Sequence, residues 1–251
     1  MNISWRVRRQ ILIFLIYALI IILPVFFIVY ILIAKNNSCF DTKMNGDETG
    51  IDCGGSCSLR CDGTYKDVKV NFSKILKVDE NKYDIFTLLD NYNYNVAFPK
   101  IPYNLNLYNQ EGNLLISASG TVAISSQAQA VVYIPNVNLN QIPKTVDFQL
   151  GKHFGILDTV KPNTNVNVNT WNAQTAANDG LQIIGEVTNS GDKSVENLSI
   201  YALLYDDTRS VYAVGKTKLR LLKGRERTAI AYTWGKLFKP TNTQFIIVYD
   251  E

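Results

Sequence analysis

Histidine is almost absent: His153 is the only one in 251 residues, so a histidine-based dyad or triad has a single candidate base. It stands in QLGKHFG, at the junction of two strand-rich regions, and a structural or solvent-facing role is expected for it. Also missing are GxSxG, HExxH, GxxxxGK(S/T) and GxGxxG, the spacings that build a nucleophile elbow, a zinc helix, a phosphate cradle and a dinucleotide turn. The acidic pairs Asp79-Glu80 and Asp206-Asp207 are adjacent, and on a strand adjacent side chains point to opposite faces. Asp206-Asp207 is therefore read as a turn-former, and only carboxylates remote in sequence could meet as a glycosidase-like pair. No catalytic residue is assigned, and the chain is expected not to be an enzyme. A net charge of +3 gives no argument for nucleic acid. Beyond the N-terminus no helical stripe of apolar residues occurs.

Charge is missing altogether from Ile11–Ala34, ILIFLIYALIIILPVFFIVYILIA. As a helix this run reaches roughly 36 Å, enough to cross a hydrocarbon core about 30 Å thick. It is longer than the apolar core of a cleaved secretion signal, usually about 7–15 residues, and Lys35-Asn36-Asn37-Ser38 after it resembles no peptidase site. An uncleaved single-pass signal-anchor is expected. Arg6, Arg8 and Arg9 precede it and only Lys35 follows closely. The positive-inside bias then puts residues 1–10 in the cytoplasm and 35–251 outside the membrane.

The four cysteines, Cys39, Cys53, Cys57 and Cys61, lie within one stretch, CFDTKMNGDETGIDCGGSCSLRC. Outside the cytoplasm their C-x13-C-x3-C-x3-C spacing reads as two disulfides, with three pairings open. The CxxC knuckle of a zinc or thioredoxin-like site is missing. Between the first two cysteines, Asp41 to Asp52 can be laid on the calcium loop D-x-(D/N)-x-(D/N)-G-x5-E. Asp41, Asn45, Asp47, Thr49 and Asp52 would be the ligands and Gly46 the turn, but Lys43 occupies an oxygen-ligand position. A polar loop with glycine at its turns is the alternative. Calcium is the one cofactor suggested.

The string NGDETGIDCGGSC resembles a short cysteine-rich module of bacterial surface and secreted proteins; it covers about a tenth of the chain and implies export. From Tyr65 onward the pattern is that of strands. In YKDVKVNFSKILKV, Val68, Val70 and Phe72 are placed on one face, and YNLNLYNQEGNLLISASG reads as strand, turn, strand. VENLSIYALLYD alternates Leu198, Ile200, Ala202 and Leu204; TAIAYTW alternates Ile230, Tyr232 and Trp234; TQFIIVYD is a last strand. Leu107-Tyr108-Asn109 superposes on Leu204-Tyr205-Asp206 with an offset of 97 residues, the scale of one sandwich. These repeated strands resemble FxLYD and late-embryogenesis-abundant-type domains, with Leu105 and Ala202 where the first motif has Phe. The resemblance implies immunoglobulin- or fibronectin-III-like sandwiches without a catalytic centre.

The expected fold class is mainly β: one N-terminal transmembrane helix (11–34), a short disulfide-rich stalk (35–63) and two tandem immunoglobulin-like β-sandwiches (64–151 and 152–251). The polar segment Lys161–Gly180 is expected to be a long loop opening the second sandwich. Within GKTKLRLLKGRERT, a hairpin would gather Lys216, Lys218, Arg220, Lys223, Arg225 and Arg227 on one side as an anion-binding strip. The alternative is a solvated sheet face that discourages aggregation. Asn36, Asn71 and Asn197 open N-x-S sequons that matter only in a eukaryotic secretory cell. Taken together, the pattern predicts an anchored binding or scaffold protein of the cell envelope. Its partners would be the lipid bilayer and other envelope proteins or cell-wall polymers, with no small-molecule substrate evident. A structural subunit of a membrane assembly, or a tethered hydrolase, is the rival reading.

Overall fold

The computed structural model describes residues 5–34, 39–157, 166–176, 180–235 and 240–249. Residues 35–38, with Lys35 and Asn36, and 161–165 and 177–179 of the polar segment lie outside the described residues. The chain forms two compact units, Met1–Ser58 and Leu59–Glu251.

In the first unit, helix α1 spans Trp5–Ala34, so Arg6, Arg8 and Arg9 form its first turns rather than a separate tail. Residues Trp5–Tyr30 are long and apolar enough to cross a membrane. Many of these side chains are β-branched or aromatic and would suit a strand in water; in lipid a lone segment satisfies its backbone only as a helix. Its apolar side chains are exposed, Phe14 by 75% and Phe26 by 73%. The remainder of this unit is the turn-rich cysteine loop.

The second unit is built from strands. In its first half these are β1 (Lys69–Asp79), β2 (Lys82–Asp90), β3 (Val96–Tyr108), β4 (Leu114–Ile124), β5 (Gln129–Asn138), β6 (Thr145–Leu150) and β7 (Ile156–Leu157). The second half has β8 (Val166–Ala176), β9 (Gly180–Asn189), β10 (Val195–Tyr205), β11 (Val211–Leu222), β12 (Arg227–Trp234) and β13 (Asn242–Tyr249). Four antiparallel sheets result. The first outer sheet is β4-β3-β6 with β7 added to β3, and the first inner sheet is β1-β2-β5. The second inner sheet is β11-β10-β13 and the second outer sheet is β12-β9-β8. Strands β1–β6 and β8–β13 therefore follow one topology twice, each copy a sandwich of two sheets.

The sandwiches are themselves stacked. Leu89, Phe98, Ile101 and Val132 fill the first sandwich, and Val187, Leu198, Ile200 and Ile230 fill the second. A third core joins the two inner sheets: Leu76, Phe86, Leu88 and Val131 pack on Tyr201, Leu203, Val214 and Ile246. The central strands β2 and β10 are consequently buried on both faces, whereas β9 alternates buried and half-buried residues along its length. The alternation expected for β10 captured one face only: Tyr201 and Leu203 are buried as deeply as Ile200 and Leu204.

Two further expectations are corrected. Val68 and Val70 pack inside the first sandwich, but Phe72 packs into the core between the inner sheets. A β-bulge between Val70 and Phe72 inserts Asn71, and one added residue switches every later side chain to the other face. The segment read as a long loop contains β8, paired with β9 from Val166↔Asn189 to Ala176↔Gly180. Val166 is buried and Val168 packs against the same core, while Asn167 and Asn169 face outward. The asparagines that obscured the strand are the polar face of a sheet edge.

Candidate functional site

All four cysteines are oxidised. Cys39 is bonded to Cys57, Cys53 and Cys61 are disulfide-bonded as well, and no free cysteine remains. Of the pairings left open by the spacing, the structure shows Cys39–Cys57. The loop carboxylates accept local hydrogen bonds from backbone and side chains. Asp52 accepts the Asp41 N–H at 2.8 Å and the Thr42 N–H at 2.9 Å, and Asp41 accepts the Lys43 N–H at 2.9 Å. Asp47 accepts the Ser56 hydroxyl at 2.7 Å, and Glu48 accepts the Asn45 N–H at 3.0 Å. Thr49 is exposed. Among the described residues, the one group of three metal-ligating atoms within 4.8 Å is Cys39, Glu48 and Cys57, two of them the halves of a disulfide. Asp41, Asp47 and Asp52 do not form a group of three carboxylates within that distance, while Asn45 donates its amide to Asp41 at 2.9 Å. Gly54 and Gly55, both at positive φ, let the chain pass so close to Thr49 and Asp47 that a side chain at either would collide.

His153 packs edge-on against Phe98 with ring centroids 5.1 Å apart, and its Nδ1 lies 2.8 Å from the Gly151 carbonyl, to which it donates. Its Nε2 is 4.0 Å from Asp67. The basic strip is divided by the fold. Lys216, Lys218 and Arg220 are exposed on β11, whereas Arg227 opens β12 in the other sheet of that sandwich. The Lys-Gly turn crosses from one layer to the next instead of closing a hairpin. Arg225 pairs with Asp192 at 2.8 Å and Arg227 with Glu186 at 3.8 Å, while Lys216 lies 5.2 Å over the Tyr201 ring. Lys223 donates its N–H to Glu226. Lys216, Lys218 and Arg220 share one strand, β11.

Lys216 also stands on the rim of a cleft of about 380 Å3 between β1, β11 and β12. Its floor is a buried acid: Asp84 is 7% exposed, accepts the Tyr133 hydroxyl at 2.6 Å and accepts the Asn136 N–H at 2.8 Å. Burial, then the bond to Asp84, pushes the Tyr133 hydroxyl well above the ordinary tyrosine range. That hydroxyl lies 3.3 Å from the Val214 carbonyl on the opposite inner sheet. The Trp234 indole donates to the same carbonyl at 3.2 Å and stacks on Tyr232, with centroids 5.8 Å apart. Gly215 makes room for this pair, since a Cβ there would stand 2.6 Å from Tyr232 and 2.7 Å from Trp234. Lys77 and Lys216 are among the residues lining the cleft. The cleft can hold a small polar group beside an aromatic wall and two lysines.

Asn91-Tyr92-Asn93 and Val187-Thr188-Asn189 read in the sequence as repeated strand ends; the burial of their asparagines did not. Asn91, 2% exposed, donates its amide to the Val96 and Ser125 carbonyls and accepts the Asn93 N–H. Asn189, fully buried, donates to the Lys193 and Lys223 carbonyls and accepts the Gly191 N–H. Each clamps the end of a strand to two loops at the equivalent place in its sandwich. The signal available was an Asn closing an otherwise apolar strand, twice.

No family model matches the chain, and no curated protein matches it. Among solved structures, vicilin from Corylus avellana (hazelnut) aligns with 76% of this chain and 84% of its own, at 9% identity and a TM-score of 0.10. That likeness carries no argument about fold or activity.

Proposed function

We propose that this is a membrane-anchored, non-catalytic binding or scaffold protein of the cell envelope, with the residues beyond α1 outside the cytoplasm. The observation that carries the reading is the oxidation of every cysteine just after a helix able to cross a bilayer. Such bonds persist in oxidising compartments, and Arg6, Arg8 and Arg9 favour retention of the N-terminal end in the cytoplasm. The recurrence of Leu107-Tyr108-Asn109 and Leu204-Tyr205-Asp206 at equivalent hairpins supports the FxLYD-like reading of the two sandwiches. A stacked, hydrogen-bonded body suits recognition by loops and clefts, with other envelope proteins or wall polymers as partners.

Protease added to intact cells or spheroplasts should remove residues 59–251 and leave a tag placed ahead of Arg6 protected. Digestion of the tag with the body protected would overturn the topology. Non-reducing mass spectrometry of the same material should recover no free thiol.

A further inference from the structure

The two copies of the sandwich provide an internal control for the loop after β2. Asn91 and Asn93 turn inward, where both are buried: Asn93 donates to the Lys66 carbonyl at 2.7 Å and accepts the Lys66 N–H at 2.8 Å. Bracing of alternate residues throws Tyr92 and Tyr94 outward, 60% and 78% exposed. In the second copy the same clamp is made by Asn189, followed by Ser190 and Asp192 where the first has the two tyrosines. The clamp therefore functions without aromatic rings, and the fold does not account for their display.

What surrounds the Tyr92 ring is polar. Tyr92 donates its hydroxyl to Asp90 at 3.2 Å and lines a cleft of about 430 Å3 with Asn71, Asp90, Gln127 and Gln129. Gln129 donates to Asp90 at 2.7 Å and accepts the Gln244 amide at 2.9 Å. Gln244 lines a second cleft of about 560 Å3 with Tyr205, Asp206, Asp207 and Arg209. Two polar clefts thus adjoin across the Gln129–Gln244 contact. Three carboxylates face one guanidinium in them, a balance that repels polyanions.

We propose that Tyr92, Tyr94 and these clefts form a binding site for a neutral oligosaccharide. Tyrosine offers flat apolar area at low entropic cost, which suits the C–H face of a pyranose. Fixed amides and carboxylates can accept and donate to its hydroxyls, and recognition there favours ligands that pair every buried polar group. An apolar peptide would find few aliphatic side chains in either cleft. The inference rests on the reading of the chain as a binding protein and supplies one ligand class for it.

Full-length protein in lipid nanodiscs, prepared without glycoside detergents, would be titrated with chitohexaose, mannohexaose and xylohexaose and followed by saturation-transfer NMR. At least one should receive transfer. Tyr92→Ala should weaken it about tenfold, Tyr92→Phe should retain it, and Tyr92→Ala with Tyr94→Ala should abolish it at an unchanged melting temperature. No transfer to any of the three, or transfer undiminished in the double variant, overturns the site. Heparin binding in place of all three neutral sugars overturns it as well. Protease shaving of cells is an independent readout, so loss of the sugar site and loss of the exported topology are told apart.

Discussion

Asn109 and Asp206 perform the same task in the two copies. Asn109 Oδ1 accepts the Glu111 and Asn113 N–H groups, and Asp206 Oδ1 accepts those of Thr208 and Ser210. The residue three on, Gly112 or Arg209, takes a positive φ in both hairpins. They differ in charge. The Thr208 hydroxyl and then the Ser210 N–H hold the Asp206 carboxyl below its ordinary value of 3.8. A carboxyl depressed on folding contributes stability that is complete above the ordinary value and is lost as pH falls through the folded one. Asp206→Asn, which keeps an acceptor and removes the charge, should melt below the wild type at neutral pH. Melting curves from pH 7 to pH 2 should show that gap closing only under 3.8. This pair was legible as a repeat from Leu-Tyr-Asn and Leu-Tyr-Asp alone. The clamping role of Asn91 and Asn189 was not, because an asparagine at a strand end reads as a turn former and only its burial shows that it joins two loops.

Elements were legible where one face is wet. Strand β12 and the Ile101–Tyr108 part of β3 alternate, and their faces follow from the sequence; β3 shifts register between Phe98 and Ile101. Asn71 defeats the same logic in β1 by inserting a bulge, and the asparagines of β8 defeat it because Asn has low strand propensity. The division of the basic strip also lies at this scale: spacing places Lys216 and Arg227 near one another in the chain, but it does not say that the turn between them changes sheets. Gly215 on β11 is an element-scale constraint. Its missing side chain admits the Tyr232 and Trp234 rings. Gly215→Ala should cost about 1–3 kcal/mol by overpacking, measured by denaturant unfolding, with quenching or shift of Trp234 emission as the rings are displaced.

For the whole Leu59–Glu251 unit, the decisive contrast is between faces that are covered and equivalent faces that are not. Tyr201, Leu203 and Val214 on the second inner sheet correspond to Asn104, Asn106 and Ser117 on the first outer sheet, each pair 97 residues apart. Likewise Leu88 on the first inner sheet is matched by Glu186 on the second outer sheet. The outward faces are polar and the facing ones apolar, so one topology serves both as a filling and as an end wall. Neighbouring polar contacts fasten the join: Lys74 donates to Ser210 and to the Val211 carbonyl, and Gln129 meets Gln244. Leu203→Asn gives the inner sheet the residue its counterpart carries at Asn106. It should cost about 3–5 kcal/mol through lost burial and an unsatisfied amide, and calorimetry should resolve two unfolding transitions where the wild type shows one. A single, merely shifted transition would mean that the two sandwiches stay coupled without an apolar Leu203 in their shared core.

The double-sided burial of β2 and β10 also dictates how such a chain could grow. A further copy added at either end would meet a wall of amides, hydroxyls and acids and find nothing to adhere to. Only a copy spliced between the existing two, oily on both sides, would be taken in; lengthening of this architecture has to proceed from its middle.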